Sequence, residues 1–273
     1  MSKIAYDPVK DRFASFIKRS RGLRTIFYKL LDLFFLRSWH IRRLLRHYAR
    51  SFDRQGRWKL LDAGSGFGQY DRFILKNFDH VEVTALDVKQ DYLEDCRRYF
   101  EEDIDEGRIS FHQEDLLELE LEPTYQFAIC IDVLEHIEED VKVIENVRKG
   151  LTEGGYFLMH SPSHYSEEDA GEDEFFVEEH ARAGYSKEDI TRKLKEAGLE
   201  PIDVHYTYGK LGWFSWWLLI KNPMLWFTKM GMWAAPLVAL YYIPMLPIGL
   251  PLMAADLYTK NEKGNGVYAL ARK

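Results

Sequence analysis

The stretch Trp58-Lys59-Leu60-Leu61-Asp62-Ala63-Gly64-Ser65-Gly66-Phe67-Gly68 decides how the rest of the chain is read. A short apolar run ends in an acid, three glycines alternate with small or apolar residues, and a helical pattern follows from about Gln69 to Phe78. This is the pattern of a buried strand, a tight turn and the start of a helix. Glycine, which has no Cβ, suits backbone that turns sharply or lies against a ligand. Free N–H groups at a helix start face polar ligand atoms. The first expectation is a nucleotide-like cofactor seated on this turn. The spacing is G-x-G-x-G; the dinucleotide fingerprint G-x-G-x-x-G needs a glycine at position 69, where this chain has Gln69. Asp62 points the same way, since an acid there meets an ammonium group and repels a pyrophosphate.

Downstream of residue 58 strand and helix patterns alternate, which predicts a parallel sheet with helices on both faces. The strands are expected at 58–63, 81–87, 109–113, 126–132, 155–161, 201–208 and 266–271, with Gly154-Gly155 breaking the chain just before the fifth. Helices are expected at about 69–78, 90–105, 137–150 and 186–197.

The 273 residues and 46% apolar content suit one large domain with a substantial insertion. Cys96 and Cys130 have neither metal-ligand spacing nor the look of a disulfide framework, so a reducing cytoplasmic compartment is expected. The first residues do not read as a secretory signal. The net charge of −7 is unevenly placed: residues 1–50 hold thirteen Lys or Arg against three Asp. A basic arm on an acidic body suggests an anionic surface. Residues 12–50 read as one or two helices in which Phe13, Phe16, Ile17, Ile26, Phe27, Leu30 and Leu31 recur at helical spacing among the basic residues. That composition suits an interfacial helix, and equally a lid packed on the domain.

Two stretches interrupt the alternation. Residues 166–179 are acidic and read as a surface loop over the carboxyl ends of the strands. Residues 211–256 hold five of the seven tryptophans, with Lys221, Lys229 and Asp256 as their only charges. Pro223, Pro236, Pro244, Pro247 and Pro251 argue against a clean spanning helix. An aromatic-rich element lying in a membrane interface is expected, with a buried lid as the alternative. The division expected is a basic N-terminal segment 1–55, a core 56–210, an apolar insertion 211–262 and a last core strand 263–273.

Acids recur at the strand ends. Asp87 ends the second strand, where a carboxylate accepts both hydroxyls of a ribose. Asp115 follows the third, where it accepts an exocyclic adenine amine. Asp132 ends the fourth. All fall at the carboxyl edge, where open α/β sheets bind ligands.

These motifs resemble those of class I S-adenosylmethionine-dependent methyltransferases. Leu60–Gly68 looks like the first motif of that family and Ala85-Leu86-Asp87 its second. Glu114-Asp115-Leu116 looks like the adenine-side motif, Phe127–Ile137 the fourth-strand motif and Leu151–Gly155 the entry to the fifth strand. The resemblance covers about residues 56–200 and the last strand. It implies a Rossmann-like, seven-stranded, mostly parallel sheet with an antiparallel last strand, and an insertion between strands six and seven. By position it places Asp62, Gly64, Ser65, Gly66 and Gly68 at the methionine end of S-adenosylmethionine, and Asp87 with Val88 at the ribose. Asp115 and Leu116 fall at the adenine, and Asp132 and Val133 beside the cofactor near the acceptor.

If the acceptor is a hydroxyl with a pKa near about 10, a neighbouring base assists at neutral pH. His136 is the candidate, oriented by Glu135. Asp132, Glu135 and His136 also resemble, in spacing, a subset of metal-dependent O-methyltransferases, some acting on quinone precursors; a further ligand would come from His160 or His164. The reading adopted needs no metal. His180, Arg182 and Tyr185 fall in a segment that often faces the acceptor in this family, while Ser186 reads as an N-cap with Asp189 three residues on. The expectation is a cytoplasmic enzyme, peripheral at the inner face of the membrane, methylating an apolar small molecule or lipid. A nucleic-acid partner is not expected, because the body is acidic and the tryptophan-rich segment lacks interleaved basic residues.

Overall fold

A computed structural model describes residues 20–166 and 181–273, so most of the acidic stretch and His180 lie outside the described residues. One seven-stranded sheet is built from β1 (Trp58–Ala63), β2 (Val81–Asp87), β3 (Ile109–Gln113), β4 (Tyr125–Ile131), β5 (Leu151–Pro162), β6 (Glu200–Thr207) and β7 (Gly266–Arg272). The order is β3-β2-β1-β4-β5-β7-β6. β1 to β5 pair in parallel, and β7 runs antiparallel between β5 and β6. The topology reverses at β1, between β2 and β4, so the glycine turn after β1 opens onto the crevice there.

The interior strands are apolar throughout because both faces are covered. Leu60, Val83, Phe127 and Ile129 pack on one side with Ile41, Leu45, Phe73 and Leu93. Leu61, Ala128, Cys130 and Phe157 pack on the other with Val143, Val147, Ile190 and Leu194. One local expectation changes. β5 begins at Leu151, so Gly154-Gly155 lies inside the strand. The pairing with β4 shifts register between Tyr125 and Phe127, and a Cβ on Gly155 would lie 2.9 Å from the Thr152 carbonyl oxygen. The glycines permit an irregularity rather than ending the pairing.

The N-terminal segment forms α1 (Arg21–Phe34), capped by Ser20, then α2 (Leu36–Tyr48) and α3 (Arg50–Gln55). These helices pack against the sheet rather than standing off it. Buried Arg24 donates to the Asp95 and Phe67 carbonyls at 2.6 and 3.0 Å, and Arg21 forks onto Glu102. Part of the basic arm is therefore turned inward as a lid, which a count of charges cannot distinguish from a solvated face.

The remaining core helices are α4 (Gln69–Asn77), α5 (Gln90–Tyr99), α6 (Glu101–Asp105), α7 (Asp140–Gly150) and α8 (Lys187–Glu196). Between β6 and β7 the chain forms a helical hairpin. The first arm runs through α9 (Lys210–Trp216), a π-helical stretch Trp217–Lys221 and α10 (Asn222–Met230). Gly231, at φ 60°, turns it into the second arm, α11 (Ala235–Tyr258). Contrary to expectation, Pro244, Pro247 and Pro251 sit inside α11 without ending it. Each proline removes one backbone bond, but the arm is held along its length by the other. Tyr241 and Tyr242 donate to the Leu218 and Leu219 carbonyls at 2.9 and 2.7 Å, and Gly249 lets Leu219 approach closely.

Candidate active site

The glycine turn and the strand ends form one edge. Gly64, Gly66 and Gly68 all have positive φ, a conformation that costs glycine little. A Cβ on Gly64 would collide with Val133 at 2.3 Å, whereas one on Gly66 would meet nothing within 4 Å. The Gly66 N–H donates to Asp87 Oδ2 at 2.8 Å and the Lys89 N–H to Oδ1 at 2.8 Å. Each Asp87 oxygen therefore keeps a lone pair for a ribose hydroxyl. Among the described residues the Ser65 hydroxyl is buried with no partner, which suits a polar ligand on the turn. Val88 is 55% exposed beside Asp87. Asp115 is exposed and accepts from the Leu117 N–H through one oxygen, while Leu116 is buried in the core and offers backbone rather than side chain. Open space over Gly66, a ribose-competent carboxylate and an unpartnered hydroxyl fit a nucleoside cofactor with a polar tail.

Asp62 is placed differently from its expected role. It is buried under the turn against Asp71, in the first turn of α4. Burial pushes the Asp62 carboxyl well above its ordinary value, and the nearby Asp71 charge adds to this. Burial also raises Asp71, to about 7, while a hydrogen bond from Asp62 opposes the shift. No backbone or side-chain N–H reaches either Asp71 oxygen among the described residues. Burial pushes both acids beneath the loop towards the protonated form.

Asp132 lies just past β4 at φ 55°, held there by its N–H bond to the His160 carbonyl. Its Oδ1 meets His160 Nδ1 at 2.7 Å and its Oδ2 pairs with Arg37 of α2. His160 Nε2 lies 3.2 Å from the Thr207 hydroxyl. Burial, with Arg37 adding, drives the His160 imidazole well below its ordinary value, so it is neutral. Glu135 turns inward, accepting from the Ser161 hydroxyl at 2.9 Å, and burial raises its carboxyl. His136 is exposed on the 3-10 turn Leu134–His136, and its charge acts on the Glu135 carboxyl against the effect of burial. The metal alternative fails on this geometry. Asp132 is taken up by Arg37 and His160, Glu135 points into the core, and His164 stacks on Tyr165. No three acidic, His or Cys side chains converge among the described residues.

Arg182 and Tyr185 also take structural places. The buried Asp140 carboxylate accepts from Arg182, from Lys193 and from the Tyr185 hydroxyl, as a buried charge demands. Ser186 caps α8 as expected, accepting from the Asp189 N–H at 3.0 Å. Reading the sequence missed Arg37, Arg24 and Asp71. The lid itself was one of the two readings of residues 12–50, and Gln69 ties it to the turn: Gln69 donates to Ser38 Oγ at 2.8 Å and to Asp32 at 3.1 Å, joining the turn to α1 and α2.

A profile of the methyltransferase-domain family matches residues 61–157, from β1 into β5. The chain contains a class I S-adenosylmethionine-dependent methyltransferase domain. The cofactor of such a domain is S-adenosylmethionine. The chain is similar to tRNA1(Val) (adenine(37)-N6)-methyltransferase of Vibrio campbellii, 31% identical over 26% of this chain and 30% of the relative. It is similar as well to ubiquinone biosynthesis O-methyltransferase of Rickettsia akari, 29% identical over 44% of this chain and 45% of the relative. The matches thus span less than half the length of these curated relatives. In fold the chain is similar to phosphoethanolamine N-methyltransferase 2 of Haemonchus contortus, solved with S-adenosyl-L-methionine. That structure aligns at TM-score 0.58 and 17% identity, over 96% of this chain and 60% of the other.

Proposed function

We propose that the enzyme methylates an apolar small molecule or lipid, at a hydroxyl, taking it from a membrane surface. The observation that carries this reading is the exposure of the hairpin. Trp233 is 85% exposed at its tip, Met232 73%, and Leu240 and Ile243 of α11 are 66% and 70% exposed. A contiguous apolar surface of this kind marks an interaction face. Exposed tryptophan at the tip suits the headgroup region of a bilayer. The likeness to a ubiquinone biosynthesis O-methyltransferase supports an apolar acceptor and oxygen chemistry. The free, buried Cys96 and Cys130 support a reducing compartment, hence the cytoplasmic face.

S-adenosylmethionine supplies a methyl already activated on a sulfonium, so the work of the chain is alignment and exclusion of water. Asp87 and the glycine turn hold the nucleoside, and α1 and α2 close over the turn. His136, exposed at the strand edge, takes the acceptor proton. Asp132 is held by Arg37 and His160 as a positioning group beside the reacting centre.

The test is transfer of labelled methyl from the cofactor into a total lipid and small-metabolite extract, read by mass spectrometry. Label in apolar products is expected. Label confined to polar metabolites removes the lipid reading, and label in neither leaves a cofactor-binding scaffold.

A further inference from the structure

A cleft of about 890 Å³ lies between α2 and α4, at the root of the hairpin. Seven Lys and Arg side chains line it against a single carboxylate, Asp32. Asp32 is already shared by Arg42 and Arg72, at 3.7 and 3.4 Å. Among the described residues no carboxylate pairs with Lys29, Arg46, Arg50 or Lys76, although all four face the cleft. The guanidinium groups of Arg42 and Arg46 both lie against the Phe73 ring, 4.8 and 4.9 Å from its centroid. Two like charges fixed on one ring, with more beside them, form a site short of anions. None of the strand-end acids of the cofactor edge lines it.

The surroundings of the cleft select the anion. Leu257 and Tyr258 of α11 form part of its wall, and Tyr258 is 75% exposed. Leu33 lines it from the other side and continues an exposed apolar row on α1 with Ile26 and Leu30, at one- and two-turn spacing. Cations thus lie between two apolar flanks. At a bilayer surface this arrangement sets the cations at the depth of the phosphates and the flanks against the acyl boundary. A polynucleotide would find charge here too, but has no use for exposed Leu and Ile on both sides.

We propose that this cleft is a binding site for the phosphate-bearing headgroups of anionic phospholipids, separate from the methyl-transfer site, which orients the hairpin on the membrane. The proposal rests on the membrane reading above and deepens it. Lys29, Arg46, Arg50 and Lys76 supply the unneutralised charge, and Tyr258 borders the entrance.

The test is flotation of the full chain with vesicles of phosphatidylcholine alone and with vesicles also containing phosphatidylglycerol, at low and high salt. Wild type is expected to prefer the anionic vesicles and to lose that preference at high salt. With each basic residue near the surface adding about fivefold to partition, Arg46→Gln/Arg50→Gln should lower binding to anionic vesicles roughly 25-fold and leave binding to neutral vesicles unchanged. Lys29→Gln/Lys76→Gln should repeat this, which covers the case of one variant misfolding; melting curves and cofactor binding should match wild type. Equal binding of wild type and folded variants to anionic vesicles overturns the cleft while leaving the membrane reading intact. Absence of wild-type binding to either vesicle overturns both. Retention of total tRNA through Arg46 and Arg50, with no preference for anionic vesicles, overturns the cleft in favour of a polynucleotide.

Discussion

Arg37 of the N-terminal lid forms an ion pair with Asp132 at the end of β4, and His160 takes the other Asp132 oxygen at 2.7 Å. One residue of a segment outside the core sheet thereby sets the charge at the edge where the cofactor and acceptor are proposed to meet. Arg37 is 23% and Asp132 25% exposed at the side chain. The pair is partly shielded from water and acts more strongly than an exposed one. Replacing Arg37 with Gln should leave the Asp132 charge to His160. The His160 imidazole should then titrate at higher pH than in wild type, visible in its ring proton shifts, and kcat/KM should fall at least about 10-fold, roughly 1.4 kcal/mol. An unchanged His160 titration would remove the coupling.

Asp87, the proposed anchor for the nucleoside, is at the same time the acceptor for the Gly66 N–H. Asp87→Ala should weaken cofactor binding by about 100-fold or more in calorimetry, since it loses charge-assisted hydrogen bonds and frees the turn. Asp115→Ala, on an exposed loop end, should cost no more than about 10-fold.

The acid pair beneath the turn gives stability a pH dependence of known sign. The Asp62 and Asp71 carboxyls are both raised in the folded state, Asp71 to about 7. Their contribution is fully present below the ordinary carboxylate pKa and is lost as pH rises through about 7. Melting temperature should therefore fall between pH 6 and pH 8 (about one unit either side of that value). Asp71→Asn should flatten this dependence.

Arg24 ties the lid to the glycine turn. It is buried and donates to Tyr28 Oη and to the Asp95 and Phe67 carbonyls. Arg24→Met should cost about 2–3 kcal/mol by leaving buried acceptors unmet. It should lower the melting temperature by roughly 5–10 °C and weaken cofactor binding in step.

Much of this fold is legible in the sequence. Short apolar runs between turn signals locate all seven strands, because strands buried on both faces are apolar without interruption, and helical spacing locates the core helices. The spaced acids Asp87, Asp115 and Asp132 were legible because strand ends are fixed by the sheet. What a side chain faces was not. Arg37 and Arg24 resemble every other arginine of the N-terminal arm, and only packing turns them inward. Glu135 and Tyr185 sit in motifs whose spacing suits a site, yet burial commits them to Ser161 and Asp140. Three prolines were read as helix breakers because a sequence does not reveal the neighbouring arm that supports α11.

The most direct test of acceptor capture from a membrane compares wild type with Trp233→Glu, using the labelled lipid product's precursor either embedded in vesicles or dispersed in detergent. Trp233 is 85% exposed at the hairpin tip, in the insertion between β6 and β7, so folding and cofactor binding should be unchanged. The substitution should lower methyl transfer to the vesicle-embedded acceptor at least about 10-fold, on the cost of a charge in the interface, and leave transfer to the dispersed acceptor at the wild-type rate. Equal loss in both, or in neither, would contradict the account.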